Sequence, residues 1–353
     1  MNGHIGAATT FGEPVNGIAI RPADGRRPEP ASSAHTSPEI KAVVFDFGGV
    51  LFESPINMIS EHAKEMGVPR KLLGRFFAES RVFEALETGV VSTTEAQYAL
   101  DREFTAVYPR LLSLEQRSTE GSAPPSNSPS APPLRSGSLL VRMERSAVVR
   151  REMSRLARDL RANGLIVVGL TNNWQMGCLR KNAPAPQSVD PKTYLAQLTS
   201  ERANHPVNEP SGAIRALANV HGLELDGVVE SYKLGARKPS SVAYAAAFSV
   251  ASSLWLARSR SHAEERGPGT EPGASLEGLR PGNCLFVDDL PVNVRGAARF
   301  GFRTLLAAPH AATTTQGSSA GGAGAGVRDD ASGSALAASV RALVGCPSLS
   351  AAL

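Results

Sequence analysis

Short apolar runs punctuate this chain, and each has the length of one buried strand: Ala42–Phe45, Leu165–Leu170, Val228–Val229, Asn283–Val287 and Thr304–Ala307. They are rich in β-branched and aromatic residues, as strands are. Between them the apolar positions recur at three- and four-residue steps. Ile56, Ile59, His62, Ala63 and Met66 form one such stripe and stop at Gly67. Leu72, Leu73, Phe76 and Phe77 form a second, and Val82, Phe83 and Leu86 a third that ends at Gly89. Ser92-Thr-Thr-Glu95 then has the form of a capping box for a helix over Ala96–Phe104.

Further on, Leu139–Asn163 reads as one amphipathic helix. Its stripe is Val149, Met153, Leu156 and Leu160, with Arg150, Arg151, Arg155, Arg158 and Arg161 on a solvated outer face and an Asn163-Gly164 stop. Ile214–Val220, Ser240–Ala257 and Val292–Phe300 are further helices. Strands alternating with helices predict an α/β fold with a doubly wound, mostly parallel sheet.

Stretches with no hydrophobic period divide the rest. Residues 1–38 read as a disordered tail, 116–138 as a Ser/Pro-rich insert, 181–211 and 259–279 as two more inserts, and 311–353 as a low-complexity tail in which Ala335–Val344 is a candidate helix. The expected organisation is a core over 39–54 and 139–310, with a small helical cap over 55–115.

Composition narrows the picture only a little. The formal net charge of +4 is small and scattered, so it is no footprint of nucleic-acid binding. No apolar run has membrane-spanning length. Three cysteines, Cys178, Cys284 and Cys346, lie far apart and indicate neither a disulfide framework nor a zinc knuckle. A reducing, cytoplasmic compartment is expected; a mitochondrial transit segment is the alternative, opposed by Glu13, Asp24 and Glu29.

The chemistry sits where strands end. Ala42–Phe45 delivers Asp46 and breaks at once into Phe47-Gly48-Gly49. Leu165–Leu170 runs into Thr171-Asn172-Asn173, the loop after Val228-Val229 carries Lys238, and Asn283–Val287 ends in Asp288-Asp289. Parallel strands bring their carboxyl ends to one edge of the sheet, where open α/β folds bind ligands. Adjacent acids repel one another, and a hard cation shared with Asp46 is a physical reason to hold them together. Oxygen ligation of that kind suits Mg²⁺. A hydroxyl and an ammonium at the same place would cradle an anion such as phosphate.

The segments FDFGGVL, LTNN, GARKP and LFVDD, read in that order, resemble the four motifs of the haloacid dehalogenase (HAD) superfamily. VVESYKLGARKPSSVAY is most similar to the branch containing the N-terminal domain of soluble epoxide hydrolases and that of certain acyl-CoA dehydrogenases. The likeness covers about 41–310 without the inserts. It implies a Mg²⁺-dependent phosphatase acting on a small phosphorylated metabolite, with no nucleic acid or membrane partner, and leaves the oligomeric state open. Asp46 would be the nucleophile, giving an aspartyl-phosphate. Thr171, with Asn172, Asn173 and Lys238, would hold the phosphate. Asp46, the carbonyl of Gly48, Asp288 and Asp289 would hold the metal, with Asn293 behind them. The helical block would be the cap that selects substrates.

One position departs from the pattern. Most phosphatases of this superfamily carry a second Asp two residues after the nucleophile, as acid and then base, and here that position is Gly48. Two other readings therefore stand beside the phosphatase: a metal-independent dehalogenase using the same Asp at carbon, and a non-catalytic phospholigand-binding or scaffold protein. Asp46-Phe47-Gly48 also spells a kinase tripeptide, but no accompanying kinase segment follows. The glycine run at 321–326 has no strand before it. Trp174 reads as packing rather than a stacking platform.

Overall fold

A computed structural model of the chain describes residues 38–119, 130–175, 210–265, 278–307 and 331–345. Five strands, β1 (Ala42–Phe45), β2 (Ile166–Thr171), β3 (Gly227–Glu230), β4 (Cys284–Asp288) and β5 (Arg303–Leu306), form one parallel sheet in the order β3-β2-β1-β4-β5. The chain leaves β1 for β2 and β3 on one side, then crosses back to β4 and β5 on the other. Beside β1 the winding reverses, and that is where an open sheet of this kind leaves a crevice at its carboxyl edge.

Alternation along each strand explains why helices cover both faces. Val43 and Phe45 of β1, Val167 of β2 and Leu285 and Val287 of β4 share one face with Met153, Leu156 and Leu160. Ala42 and Val44, Val168, Cys284 and Phe286 share the other with Ala243, Tyr244 and Ala247. The first set packs under α6 (Arg151–Ala162), α7 (Gly212–His221) and α11 (Ala331–Val344), the second under α9 (Ser241–Glu265) and α10 (Pro291–Phe300); a single turn, α8 (Ser231–Leu234), follows β3. A strand buried on both faces has no polar side to spare.

The cap is larger than its pattern suggested. It comprises α1 (Ile56–Met66), α2 (Arg70–Glu79), α3 (Arg81–Glu87), α4 (Thr93–Thr119) and α5 (Ser136–Arg145) around a core of their own that includes Leu72, Phe76, Leu100, Phe104 and Leu139. The expected capping box is present: Ser92 Oγ accepts from the Glu95 N–H at 3.2 Å, and the Glu95 carboxylate accepts from the Ser92 N–H at 3.0 Å. Gly67 ends α1 at a left-handed φ of 69°.

Three expectations change. The single helix over Leu139–Asn163 is two helices, α5 and α6, belonging to cap and core respectively. The break has a tertiary cause: Phe52 bridges Val149, the Arg150 N–H donates to Leu51 O at 2.9 Å, and the Glu53 N–H donates to Val148 O at 3.0 Å. Backbone used in that pairing cannot also extend a helix. The 116–138 insert folds at both ends. Residues through Thr119 continue α4, Leu134 is buried in the cap core, and the Ser136 N–H donates to Asp101 Oδ1 at 2.9 Å; residues 120–129 lie outside the described set. The candidate helix over Ala335–Val344 is present as α11, but it is no part of a loose tail: it packs on the core through Leu336, Ala337 and Val340, with Arg341 paired to Asp159 at 2.7 Å.

Of the 259–279 insert, residues up to Glu265 extend α9, and Leu279 is buried. Residues 1–37, 181–209, 266–277, 308–330 and 346–353, with Cys178 and Cys346, lie outside the described residues. Among the described residues no helix is long and apolar enough to cross a membrane.

Candidate active site

In-register pairing of Phe45 with Val287, and of Phe45 with Gly169, sets the ends of β1, β4 and β2 side by side. Asp46 is the first residue past β1, and its N–H still donates to Val287 O at 2.9 Å. Asp288 is the last residue of β4 and Thr171 the last of β2. Lys238 comes from the loop after α8 and reaches the same point. Its Nζ stands 2.6 Å from Asp46 Oδ1 and 2.8 Å from Asp288 Oδ2, and donates to the carbonyl of Leu170 at 3.0 Å. An ammonium has three N–H groups, and those three acceptors use them all.

Burial is what gives this cluster its force. Lys238 is 1% exposed and Asp288 fully buried. Burial works against charge on Lys238, but Asp288 and then Asp46 outweigh it and hold the ammonium well above the ordinary lysine range. Burial pushes Asp46 well above the usual carboxylate range; Lys238 pulls it back, while Asp288 and Asp289 push it up again. Asp289 is raised to about 6, by burial first and Asp288 second. One ammonium faces three carboxylates, and the surplus negative charge matches a divalent cation.

Oxygens of Asp46, Asp288 and Asp289 lie within 4.8 Å of one another, a donor set suited to a hard ion such as Mg²⁺. The three acids are not equivalent. Asp288 is saturated: it accepts from Lys238, from the Leu290 N–H at 2.8 Å, and from Asn293 Nδ2 at 3.1 Å on each oxygen. It orients Lys238 and leaves no lone pair aimed at an ion. Asp46 Oδ1 takes Lys238 and the Phe47 N–H, the latter at 2.6 Å, so Oδ2 is the oxygen outside those bonds. Around Gly48, pairing runs from the Gly49 N–H to Phe52 O and from the Phe52 N–H to Phe47 O, which leaves the Gly48 carbonyl outside it. Asp46, Asp289 and the Gly48 carbonyl thus fit as ligands, with Asp288 behind them.

Glycine is required beside that carbonyl. Gly49 has a φ of 79°, and a Cβ there would fall 2.1 Å from Asp289 Oδ2. Gly48 is a different case. A Cβ on it would meet the Pro55 ring, 2.9 Å from Cδ, so the space where an acid would start is already filled.

The Thr171 loop does more holding than binding. Asn172 Oδ1 accepts from the Lys238 N–H at 2.9 Å, and its Nδ2 donates to Lys238 O at 3.0 Å, which fixes the loop bearing the lysine. Asn173 Nδ2 donates to the buried carboxylate of Glu230 at 2.7 Å, and its own N–H donates to Ser231 Oγ at 2.9 Å. The Asn172 amide and Asn173 Nδ2 are therefore committed to protein partners, while Asn173 Oδ1 is buried without one; Thr171, Asn172 and Asn173 all line the cavity.

Several residues here escaped the sequence reading. Arg150, expected on a solvated face, is buried, and its Nη1 donates to Gly49 O at 2.9 Å and Val50 O at 3.4 Å, bracing the turn after Asp46. Its neighbours in the helix stripe gave no sign of this. Glu230 and Ser231 lie within the quoted VVESYKLGARKP segment, yet their partners Asn173 and Glu87 are distant in the chain. Glu87 of α3 pairs with Arg237, and burial lifts its carboxyl to about 7. Cys284 is no nucleophile, because burial pushes its thiol up to about 12.

Above the cluster lies a cavity of about 1000 Å³. Its floor holds Asp46, Gly48, Thr171, Lys238 and Asp289, and its walls carry cap residues such as Ile59 and Phe77. Trp174 packs edge-on to Phe83 within the cap core, as expected of a packing residue.

No family model and no curated protein matches the chain. Solved structures similar to it include a predicted HAD-like family hydrolase from Porphyromonas gingivalis (19% identity, 76% of this chain and 91% of that one, TM-score 0.38). A HAD family enzyme from Bacteroides thetaiotaomicron in a magnesium complex matches at 15% identity over 78% of this chain and 98% of that one, TM-score 0.37. The L-2-haloacid dehalogenase from Xanthobacter autotrophicus matches at 14% identity over 75% and 76%, TM-score 0.36. At such identities and scores these likenesses bear no weight on the chemistry.

Proposed function

We propose that this chain is a HAD-type, Mg²⁺-dependent phosphomonoester hydrolase acting through an aspartyl-phosphate at Asp46. The observation that carries the reading is the buried group at the carboxyl edge of the sheet: one lysine tied to two carboxylates, with a third carboxylate beside them. The Asp46 carboxylate adds to phosphorus as the bond from phosphorus to the ester oxygen breaks. Water then attacks phosphorus, restoring the Asp46 carboxylate and releasing inorganic phosphate. Lys238 holds Asp46 through Oδ1 and opposes the rise that burial imposes on its carboxyl. Thr171 faces the phosphoryl oxygens. When bound by Asp46, Asp289 and the Gly48 carbonyl, Mg²⁺ would offset charge on the carboxylates and the phosphate.

A displacement at carbon by the same aspartate has no use for Asp289, whose charge would repel a haloacid carboxylate. The test is phosphate release from acetyl phosphate and from aryl phosphates, with Mg²⁺ and with EDTA. Turnover is expected with Mg²⁺, lost in EDTA, and abolished in Asp46→Asn with the melting temperature kept. Retained turnover in Asp46→Asn sinks the assignment. Metal-independent halide release from a 2-haloacid replaces it with the dehalogenase. Phosphate binding without release from any ester marks the non-catalytic protein.

A further inference from the structure

Five carboxylates line the cavity: Asp46, Glu53, Glu87, Glu144 and Asp289. Four of them have work already. Asp46 is placed as the nucleophile and Asp289 as a metal ligand, Glu87 is paired with Arg237, and Glu144 accepts from Trp174 Nε1 at 3.0 Å. Glu53 is the exception. Its side chain is half-buried and makes no hydrogen bond or ion pair among the described residues. Its backbone, by contrast, is held on both sides. Phe52 bridges Gly48 in parallel and Val149 in antiparallel fashion, and the Glu53 N–H donates to Val148 O at 3.0 Å. Extended backbone turns successive side chains to opposite faces. Phe52 sends its ring into the core, 5.1 Å from Phe47, and Glu53 lines the cavity one residue on from the pairing with Gly48.

An acid at 48 would have two tasks, giving a proton to the leaving oxygen and then taking one from the water that clears the aspartyl-phosphate. The Pro55 ring fills the space where its side chain would begin. From the pairing beside Gly48 and the uncommitted carboxylate next to it, we propose that Glu53 takes the second task, as general base for hydrolysis of the phosphorylated Asp46. The inference rests on the phosphohydrolase reading of the same site and adds a catalytic residue to it. Water adds to phosphorus as the bond from phosphorus to the Asp46 oxygen breaks. One water proton goes to the Glu53 carboxylate, Asp46 returns as a carboxylate, and the remaining hydroxyl leaves on the phosphate. Half-exposed, Glu53 passes the proton to solvent before the next ester binds. It therefore enters the first step as a carboxylate with no proton to give, and the leaving oxygen departs unaided.

The probe is 4-nitrophenyl phosphate in Mg²⁺, followed through the first turnover and into the steady state. A base for the second step has a signature that a structural residue lacks. Glu53→Gln should lower steady-state turnover by on the order of 10²–10⁴-fold, yet keep a fast burst of nitrophenolate equal to the enzyme concentration. The acid-quenched variant should carry the mass of a phosphoryl group, which Asp46→Asn removes. Formate should restore part of the turnover of Glu53→Ala, because a small carboxylate fits the space left by the side chain. Turnover of Glu53→Gln near the wild-type rate overturns the proposal. So does a loss of burst and turnover together without accumulated phosphoenzyme, which marks a structural role. Should Glu53→Gln not fold, Glu53→Ala with and without formate carries the decision, and absence of rescue overturns the base. Each of these failures leaves the hydrolase standing. If the wild type releases no nitrophenolate in an Asp46-dependent way, the hydrolase reading falls and Glu53 falls with it.

Discussion

Replacing Lys238 by Met keeps most of the side chain's volume and removes its charge from between two buried acids. Lys238 is 1% exposed and Asp288 fully buried, so Asp288 has no water to turn to for compensation. Removing one partner of a buried ion pair costs about 3–5 kcal/mol, since the other charge is stranded. For a folded domain of this size each kcal/mol moves the melting temperature by about 2–4 °C, which makes the expected loss about 6–20 °C near pH 8 in EDTA.

The loss should depend on pH, and its sign follows from proton linkage. In the wild type the pKa of Lys238 is raised, so its contribution is complete below the unfolded lysine value and disappears only in strong alkali. Across pH 5 to 8 it is constant. In Lys238→Met, Asp46 loses its cation and rises further, so the folded variant binds a proton that the unfolded chain has already released. Its stability falls as pH climbs from about 4 through that raised value. The melting deficit against wild type should therefore be smallest at pH 5 and largest at pH 8. Thermal melts followed by near-ultraviolet circular dichroism in EDTA at three pH values provide the test. Adding Asp288→Asn to the variant should restore part of the loss, because one stranded charge disappears. A deficit equal at all pH values would show that Lys238 contributes shape and not charge, and the electrostatic account of the site would be refuted.

Metal binding carries a pH prediction of its own. Asp289 is raised to about 6, so the metal-free fold loses stability as pH rises from about 4 through 6, and Mg²⁺ recovers it by taking the place of the proton; the thermal shift given by Mg²⁺ should be larger at pH 8 than at pH 5, and an equal shift at both would remove Asp289 from the ligand set. Gly48→Asp alone should lower the melting temperature, because its Cβ would fall 2.9 Å from the Pro55 ring. Combined with Pro55→Ala it should fold and speed alkyl relative to aryl phosphates, by on the order of tenfold or more if the new carboxyl reaches the bridging oxygen; a double variant with a wild-type melt and an unchanged ratio would show that the missing acid is not limiting.

What could be read from the chain was local. Ala42–Phe45 followed by Asp46, and Asn283–Val287 followed by Asp288-Asp289, announce strands that end in acids, because apolar strand and polar turn lie in one short window. Parallel pairing then brings those ends together without further information. What could not be read depended on contacts across the chain. Val148–Arg150 breaks a continuous amphipathic pattern because it pairs with Leu51–Glu53, about a hundred residues earlier. Arg150 has the local look of four other arginines, and only that break turns it beneath the Asp46 loop. Leu134 sits in a Ser/Pro-rich stretch whose composition hides one buried anchor. The resemblance points the two asparagines after Thr171 at phosphate, but a primary amide serves equally well to lock a loop, as Asn172 does with Lys238, and composition cannot separate those uses.

Gly48 and Pro55 are also invisible as a pair in the sequence, and together they bear on what the site can hydrolyse. A glycine at 48 by itself is an absence that one substitution could mend. A proline ring in the space where the acid would begin makes the site a different build, since restoring the acid requires two coordinated changes. On the proposed phosphohydrolase reading, no acid at 48 meets the charge of a departing alkoxide, which is costly at a site of low polarity. Leaving groups that carry charge well on their own, phenolates and carboxylates, do not need that acid, so a blocked acid position selects for a leaving oxygen that is stable as an anion.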